Sequence, residues 1–249
     1  FSGTELAGIP VKPEPMCYHI SLAAGPAELA ARYGRKADLI ERFKPLYHVS
    51  AFSYPEYPVV TSDLEIELFR WGLIPFWADE LEDAFELRYR TFNARAETVF
   101  TKPAFRKPIR RTRCLVPVTG FFEWRHEDDR RIPYYVAPAG GGICSLAGVY
   151  DMWRNPDTGE QVETFAIITT EADALMRSID NVNGRMPVIL TGRQQQRWLD
   201  PSLDEEAVRS LLEPLTDGLL RAETIDNGFL KKSPDDPTIL QPRTESAQA

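Results

Sequence analysis

The sequence predicts a single α+β domain built on a mostly antiparallel sheet, closed or sandwich-like. Three observations carry that expectation. Strand-type runs occupy 114–124, 133–137, 143–150 and 163–170, and turn signals at Asp128-Asp129, Gly140–Gly142 and Asn155-Pro156-Asp157 fall between them. Helix-forming stretches are short and lie mainly outside that block, the arrangement of an α+β rather than an alternating α/β chain. Finally, 249 residues with 43% apolar content and no internal repeat suit one sizeable core better than an array of modules.

Residues 1–15, FSGTELAGIPVKPEP, hold three prolines and two glycines and read as a flexible leader. Segments 26–34 and 36–43 carry helix formers, with Gly34 as a natural stop. Residues 45–53 and 56–60 read as short extended segments around Pro55 and Pro58, and 67–77 as a strand running into an aromatic turn. The acidic run at 79–86 has five acidic and no basic residues, which suits an exposed helical start or loop. After the β-rich block, helices are expected near 171–178, 192–199 and 204–213, and the polar stretch from 233 to 249 reads as a loose tail. The domain proper is expected to span 16–232.

Composition excludes several classes. Twenty-nine basic against 37 acidic residues give a net charge of −8, which argues against coating nucleic acid by bulk charge. No run of 18 uncharged apolar residues exists to cross a membrane as a helix, and the first residues lack the order of a signal peptide. Cys17, Cys114 and Cys144 form no CxxC pair, and with only three histidines no metal site is expected. Cys114 and Cys144 sit in apolar runs and read as small buried hydrophobes. A reducing, cytoplasmic compartment follows as the expectation. His19, His48 and His126 read as structural or surface groups.

Charge is nevertheless localised. Between Arg88 and Arg113 nine basic residues face Glu97 alone, a local +8, and seven of the nine are arginines, whose planar forks suit phosphate. Trp71, Phe76, Trp77, Phe121, Phe122 and Trp124 lie nearby in sequence, and such rings either stack bases or pack a core.

MCYHISL (16–22), RWGLIPFW (70–77), NARAETVF (93–100), PAFR (103–106), RRTRCLVPVTGFFEW (110–124), FAIITTEAD (165–173) and GRMPVIL (184–190) together resemble the SRAP family, over about 16–200 and in the family's motif order. This family comprises the SOS-response-associated peptidases and the eukaryotic proteins that protect abasic sites. The resemblance implies a β-barrel-like core flanked by short helices, a basic cleft for single-stranded DNA, and an N-terminal cysteine that crosslinks to an abasic site. It implies no cofactor, no metal and no required protein partner, and a monomer is expected. If translation begins at Met16, removal of that methionine is expected before the small Cys17, which then carries a free α-amine.

Carried onto this sequence, the resemblance gives Cys17 as nucleophile, Glu123 of GFFEW as general acid–base, and Asn93 of NARAET as a hydrogen-bonding group for the N-terminal residue or sugar. Arg95, Arg106 and Arg185 match phosphate contacts, while Trp71, Trp124, Met186 and Pro187 wall the site. The family's histidine before RMP is absent. Counting from Ile179 puts Asp180 there, and counting back from Arg185 puts Asn183 there. Crosslink formation is therefore expected to persist, with reversal or strand cleavage weakened. Two other readings use the same residues: a thiol peptidase with Cys17 as nucleophile and Glu123 as base, and a non-catalytic reader of damaged or modified DNA.

Overall fold

The computed structural model describes residues 17–214 and 218–243. The expected leader and Met16 lie outside the described residues, as does the end of the tail. Strands run in chain order as β1 (His19–Leu22), β2 (Leu46–Ser50), β3 (Glu56–Val60), β4 (Ile66–Trp71), β5 (Asn93–Arg95), β6 (Arg113–Val118) and β7 (Gly120–Glu127). They continue as β8 (Arg130–Pro138), β9 (Cys144–Arg154), β10 (Gln161–Glu171), β11 (Arg185–Pro187), β12 (Ile189–Leu190) and β13 (Leu220–Thr224). Short helices intervene: α1 (Pro26–Tyr33), α2 (Leu81–Arg90), α3 (Pro108–Arg111), α4 (Ala174–Ile179), α5 (Arg193–Leu199) and α6 (Glu205–Arg209).

Five strands close on themselves. β3 pairs with β4, β4 with β10, β10 with β9 and β9 with β6, and β6 returns to β3 through Leu115 and Val60. All contacts in this ring are antiparallel except β4 with β10, so the expected α+β fold with a barrel-like core is the one observed. Closure leaves these strands without free edges, and they are buried on both faces: Val116, Phe165 and Ile167 lie on one side of the ring and Leu115 and Val149 on the other. A second sheet, in the order β13-β8-β7-β1-β2, packs against the barrel.

The strand β7 is buried on both sides. Phe121 joins the barrel core, while Phe122 joins a second cluster with Tyr135, Ile225, Phe229 and Ile239. Gly120 opens the strand because a side chain there would meet the Tyr135 ring at 2.4 Å. Gly34 ends α1 as expected, in the left-handed conformation at φ 61°.

Two expectations need correction. The helix predicted over 36–43 shrinks to a single 3₁₀ turn, Asp38–Ile40, because Lys36 is held in an extended bridge to Glu65 and bonded to Leu64. The segment expected to be loose from 233 instead docks as far as Arg243. Asp236 caps a turn over Pro237–Leu240, Ile239 enters the second cluster, and Pro242 bridges to Ile225.

Candidate active site

The register of β1 against β7 builds the site. Ile20 lies opposite Phe121 and Ser21 opposite Gly120. Continuing that pairing by two residues puts Tyr18 across from Glu123, so the chain reaches Glu123 as it enters β1. There the Cys17 N–H donates to Glu123 Oε1 at 2.9 Å. Cys17 is buried and has φ 50°, in the left-handed region that side chains avoid. A cavity of about 350 Å³ opens beside the pair, lined by Cys17, Tyr18, His19, Phe52, Glu123, Trp124, Arg131 and Leu230.

Burial sets the protonation states. Glu123 is pushed up to about 8, first by desolvation and then by the charge of Asp180, against the pull of the Cys17 N–H. The Cys17 thiol is raised well above its ordinary value by burial, with the Glu123 charge adding to it. The site therefore holds a carboxylic acid that changes charge near neutral pH, next to a thiol that stays protonated without a base.

Asp180 lies behind Glu123 at the C-terminal end of α4. Its Oδ1 accepts from the backbone and side-chain amides of Asn183, and its Oδ2 accepts from the Arg185 N–H at 3.3 Å. These contacts make it the organiser of the 180–185 turn and the charge that tunes Glu123. Asn183 serves the same turn. Asn93 is half-buried on β5, paired with Ile167.

The residues expected to bind DNA separate into two groups. Trp124 lines the cavity, its ring edge-on to His19 at 5.1 Å. Arg95 and Arg106 are exposed, with Arg95 Nε 3.8 Å from Glu97. Trp71, by contrast, is fully buried, stacked near Phe165 and donating to the Phe92 carbonyl, so it packs the barrel rather than walling a cleft. Met186 and Pro187 are buried as well, because β11 pairs with β10 on the barrel. Arg185 is also interior. Its fork grips Glu97 at 2.6 and 3.0 Å and reaches the Thr169 carbonyl, and the exposed face of this pair belongs to Glu97.

The basic strip is likewise divided. Arg113 is buried and donates to the carbonyls of Ile109, Trp198 and Asp200; Arg88 lies 3.5 Å over the Tyr54 ring; Arg90 and Arg110 bridge Glu86 and Glu205. Lys102, Arg106, Lys107 and Arg111 are exposed, with Lys107 over the Phe76 ring. Phe121 and Phe122 are core, while Phe76 and Trp77 are exposed. Cys114 is buried as expected and Cys144 half-buried.

Sequence reasoning missed five of the residues that line the cavity: Tyr18, His19, Phe52, Arg131 and Leu230. Phe52 and Tyr89 are exposed rings with centroids 6.0 Å apart, and Phe52 reaches the cavity. His19, expected to be a structural or surface group, lines the same cavity as Cys17. Its position two residues beyond Cys17, at the start of a strand, was the available signal.

The family described as SOS response associated peptidase (SRAP) matches residues 16–229. The chain belongs to the SRAP family. Among SRAP relatives, the abasic site processing protein YoqW of Bacillus subtilis is 36% identical over 184 residues, covering 70% of this chain and 79% of that protein. The abasic site processing protein HMCES of Xenopus tropicalis is 31% identical over 159 residues, covering 56% of this chain and 46% of that one. A crystal structure of a protein from Bacteroides thetaiotaomicron superposes with a TM-score of 0.90 at 50% identity, covering 92% of this chain and all of that one. Among the described residues of this SRAP domain, no helix is long and apolar enough to cross a membrane, and no cluster of side chains is arranged to hold a metal ion.

Proposed function

We propose that this protein processes abasic sites in single-stranded DNA by bonding covalently to the ring-opened sugar through Cys17. One observation carries the reading: the Cys17 nitrogen sits 2.9 Å from Glu123 in a buried cavity. When Cys17 is the first residue of the mature chain, that nitrogen is an α-amine. The amine attacks the sugar aldehyde, the carbinolamine loses water to give a Schiff base, and the thiol adds to the same carbon to form a five-membered thiazolidine. Both nucleophiles belong to one residue, so the second step is intramolecular and gains the effective concentration that proximity provides. Glu123, near 8, is matched to an amine whose ordinary value is about 7.7–8.0. It takes a proton from the attacking amine and returns it to the departing hydroxyl.

Trp124 and the rings of Phe52 and Tyr89 offer stacking surfaces for bases beside the lesion. Exposed Arg95 and Arg106 offer phosphate contacts, and Asn93 a hydrogen bond to the sugar or to Cys17. Asp180 or Asn183, depending on whether the count starts from Ile179 or Arg185, takes the place of the family's histidine, and both are tied into the 180–185 turn. Neither supplies an imidazole, so reversal and strand cleavage are expected to be slow.

The chain beginning at Cys17, incubated with an abasic-site oligonucleotide, should give a slower covalent band on a denaturing gel. Non-covalent, salt-sensitive binding without that band would support the reader instead. Cleavage of peptides would support the peptidase.

A further inference from the structure

We propose that His19, held by His48, is the base that accepts the Cys17 thiol proton as the thiazolidine ring closes. The inference rests on the crosslinking function proposed above and adds a residue to it. Its basis is placement. His19 and Cys17 line one cavity, and Glu123, the other proton carrier there, is bonded to the nitrogen of Cys17. Ring closure needs two simultaneous proton movements, one off sulfur and one onto nitrogen, and a single carboxyl fixed at the nitrogen serves only the second.

The β1–β2 register explains how His19 is aimed. His19 lies opposite Ser50, so His48, two residues along β2, is its diagonal neighbour on the same face. His19 Nδ1 and His48 Nε2 are 2.8 Å apart with the rings nearly parallel. His48 is itself wedged between the edges of Phe122 and Phe229. Nδ1 of His19 is therefore engaged, and Nε2 is the nitrogen available to a molecule in the cavity. When His19 carries its proton on Nδ1 and donates to His48, Nε2 holds a free lone pair and is a base. Burial keeps both rings neutral at rest, lowering His19 to about 3 and His48 to about 4, so His19 takes the proton only as the carbon–sulfur bond forms and the S–H becomes strongly acidic. Around His19 stand Cys17 and Tyr18 on its own segment, Glu123 on β7 with Asp180 behind it, Arg131 on β8 and His48 on β2.

The step balances. Sulfur donates its electron pair to the imine carbon as its proton passes to His19 Nε2. The C=N π pair moves to nitrogen, which takes a proton from Glu123, a carboxyl that regains its proton from solvent once the imine has formed because its value lies near 8. Return of the proton from His19 to Glu123 restores both groups, and nothing is oxidised or reduced.

The experiment compares the chain beginning at Cys17 with its His19→Gln, His19→Gly and His48→Gln variants on an abasic-site oligonucleotide, with borohydride added at intervals to trap the open Schiff base. The unaltered chain should form a crosslink that borohydride does not reduce. His19→Gln should slow closure by a hundredfold or more, accumulate reducible imine, and bind an unreactive abasic analogue with unchanged affinity. His48→Gln should slow closure about tenfold, and added imidazole should restore the His19→Gly variant, which a purely structural role would not allow. Closure at the unaltered rate in His19→Gln, or slowing with no imine and no imidazole rescue, overturns the assignment of His19. Absence of any crosslink with the unaltered chain overturns the parent reading instead.

Discussion

Replacing Glu123 by Gln separates what this carboxyl does for chemistry from what it costs the fold. Its folded value near 8 lies above the ordinary 4.5, so between those limits the folded protein binds more protons than the unfolded chain. Stability then falls as pH rises through that window. At pH 7 the unfavourable contribution is roughly 3 kcal/mol, and at pH 5 it is below about 1 kcal/mol. Glutamine keeps an oxygen to accept the Cys17 N–H and never ionises. Glu123→Gln should therefore be more stable than the parent at pH 7 to 8, by several degrees in melting temperature, with the gap closing towards pH 5. The same variant should lose crosslinking by at least a hundredfold. Thermal melts of both proteins between pH 5 and 8 are the assay. Parallel stability profiles would refute the buried-acid argument, whatever happened to activity.

Other outcomes follow from neighbouring residues. Cys17→Ala should abolish the covalent band in a denaturing gel while leaving affinity for single-stranded DNA within a few-fold by fluorescence anisotropy. Trp124→Ala should weaken that affinity roughly tenfold, the worth of about one stacked base. In contrast Trp71→Ala should act through the core, costing about 3–5 kcal/mol by denaturant unfolding. His19 and His48, lowered to about 3 and 4, bind fewer protons folded than unfolded from there up to 6.5. Their effect is opposite in sign to that of Glu123: stability is lost as pH falls through that range, and His48→Gln should flatten the acid limb of the profile. Glu97→Gln leaves the buried Arg185 guanidinium without its carboxylate and should cost about 1–3 kcal/mol, read by the same unfolding measurement.

Much of the fold was legible because local signals and tertiary demands agreed. Turn residues separated β7, β8, β9 and β10, and Gly34 stopped α1 where a left-handed residue was needed. Where they disagreed, tertiary pairing won: the bridge from Lys36 to Glu65 overrode helix propensity in 36–43, and Ile239 drew a polar tail into a cluster. For the site, Cys17 and Glu123 were found as a pair across 106 positions of sequence and meet in space. The tryptophans and arginines were harder, since sequence shows that a ring or guanidinium is present but not which way it faces. Trp71 and Trp124 look alike in their motifs, yet one fills the barrel and the other borders the cavity. Arg185 looked like a phosphate contact because only closure of β11 against β10 brings it to Glu97.

The left-handed backbone of Cys17 bears on the proposed crosslinking chemistry. A positive φ is unfavourable because the preceding carbonyl crowds the side chain, a strain of order 1–2 kcal/mol. The angle is defined by that carbonyl. In a chain that begins at Cys17 that carbonyl is absent, and the strain goes with it. In the proposed reaction, the nitrogen of such a chain is free to turn between Glu123 and an incoming aldehyde.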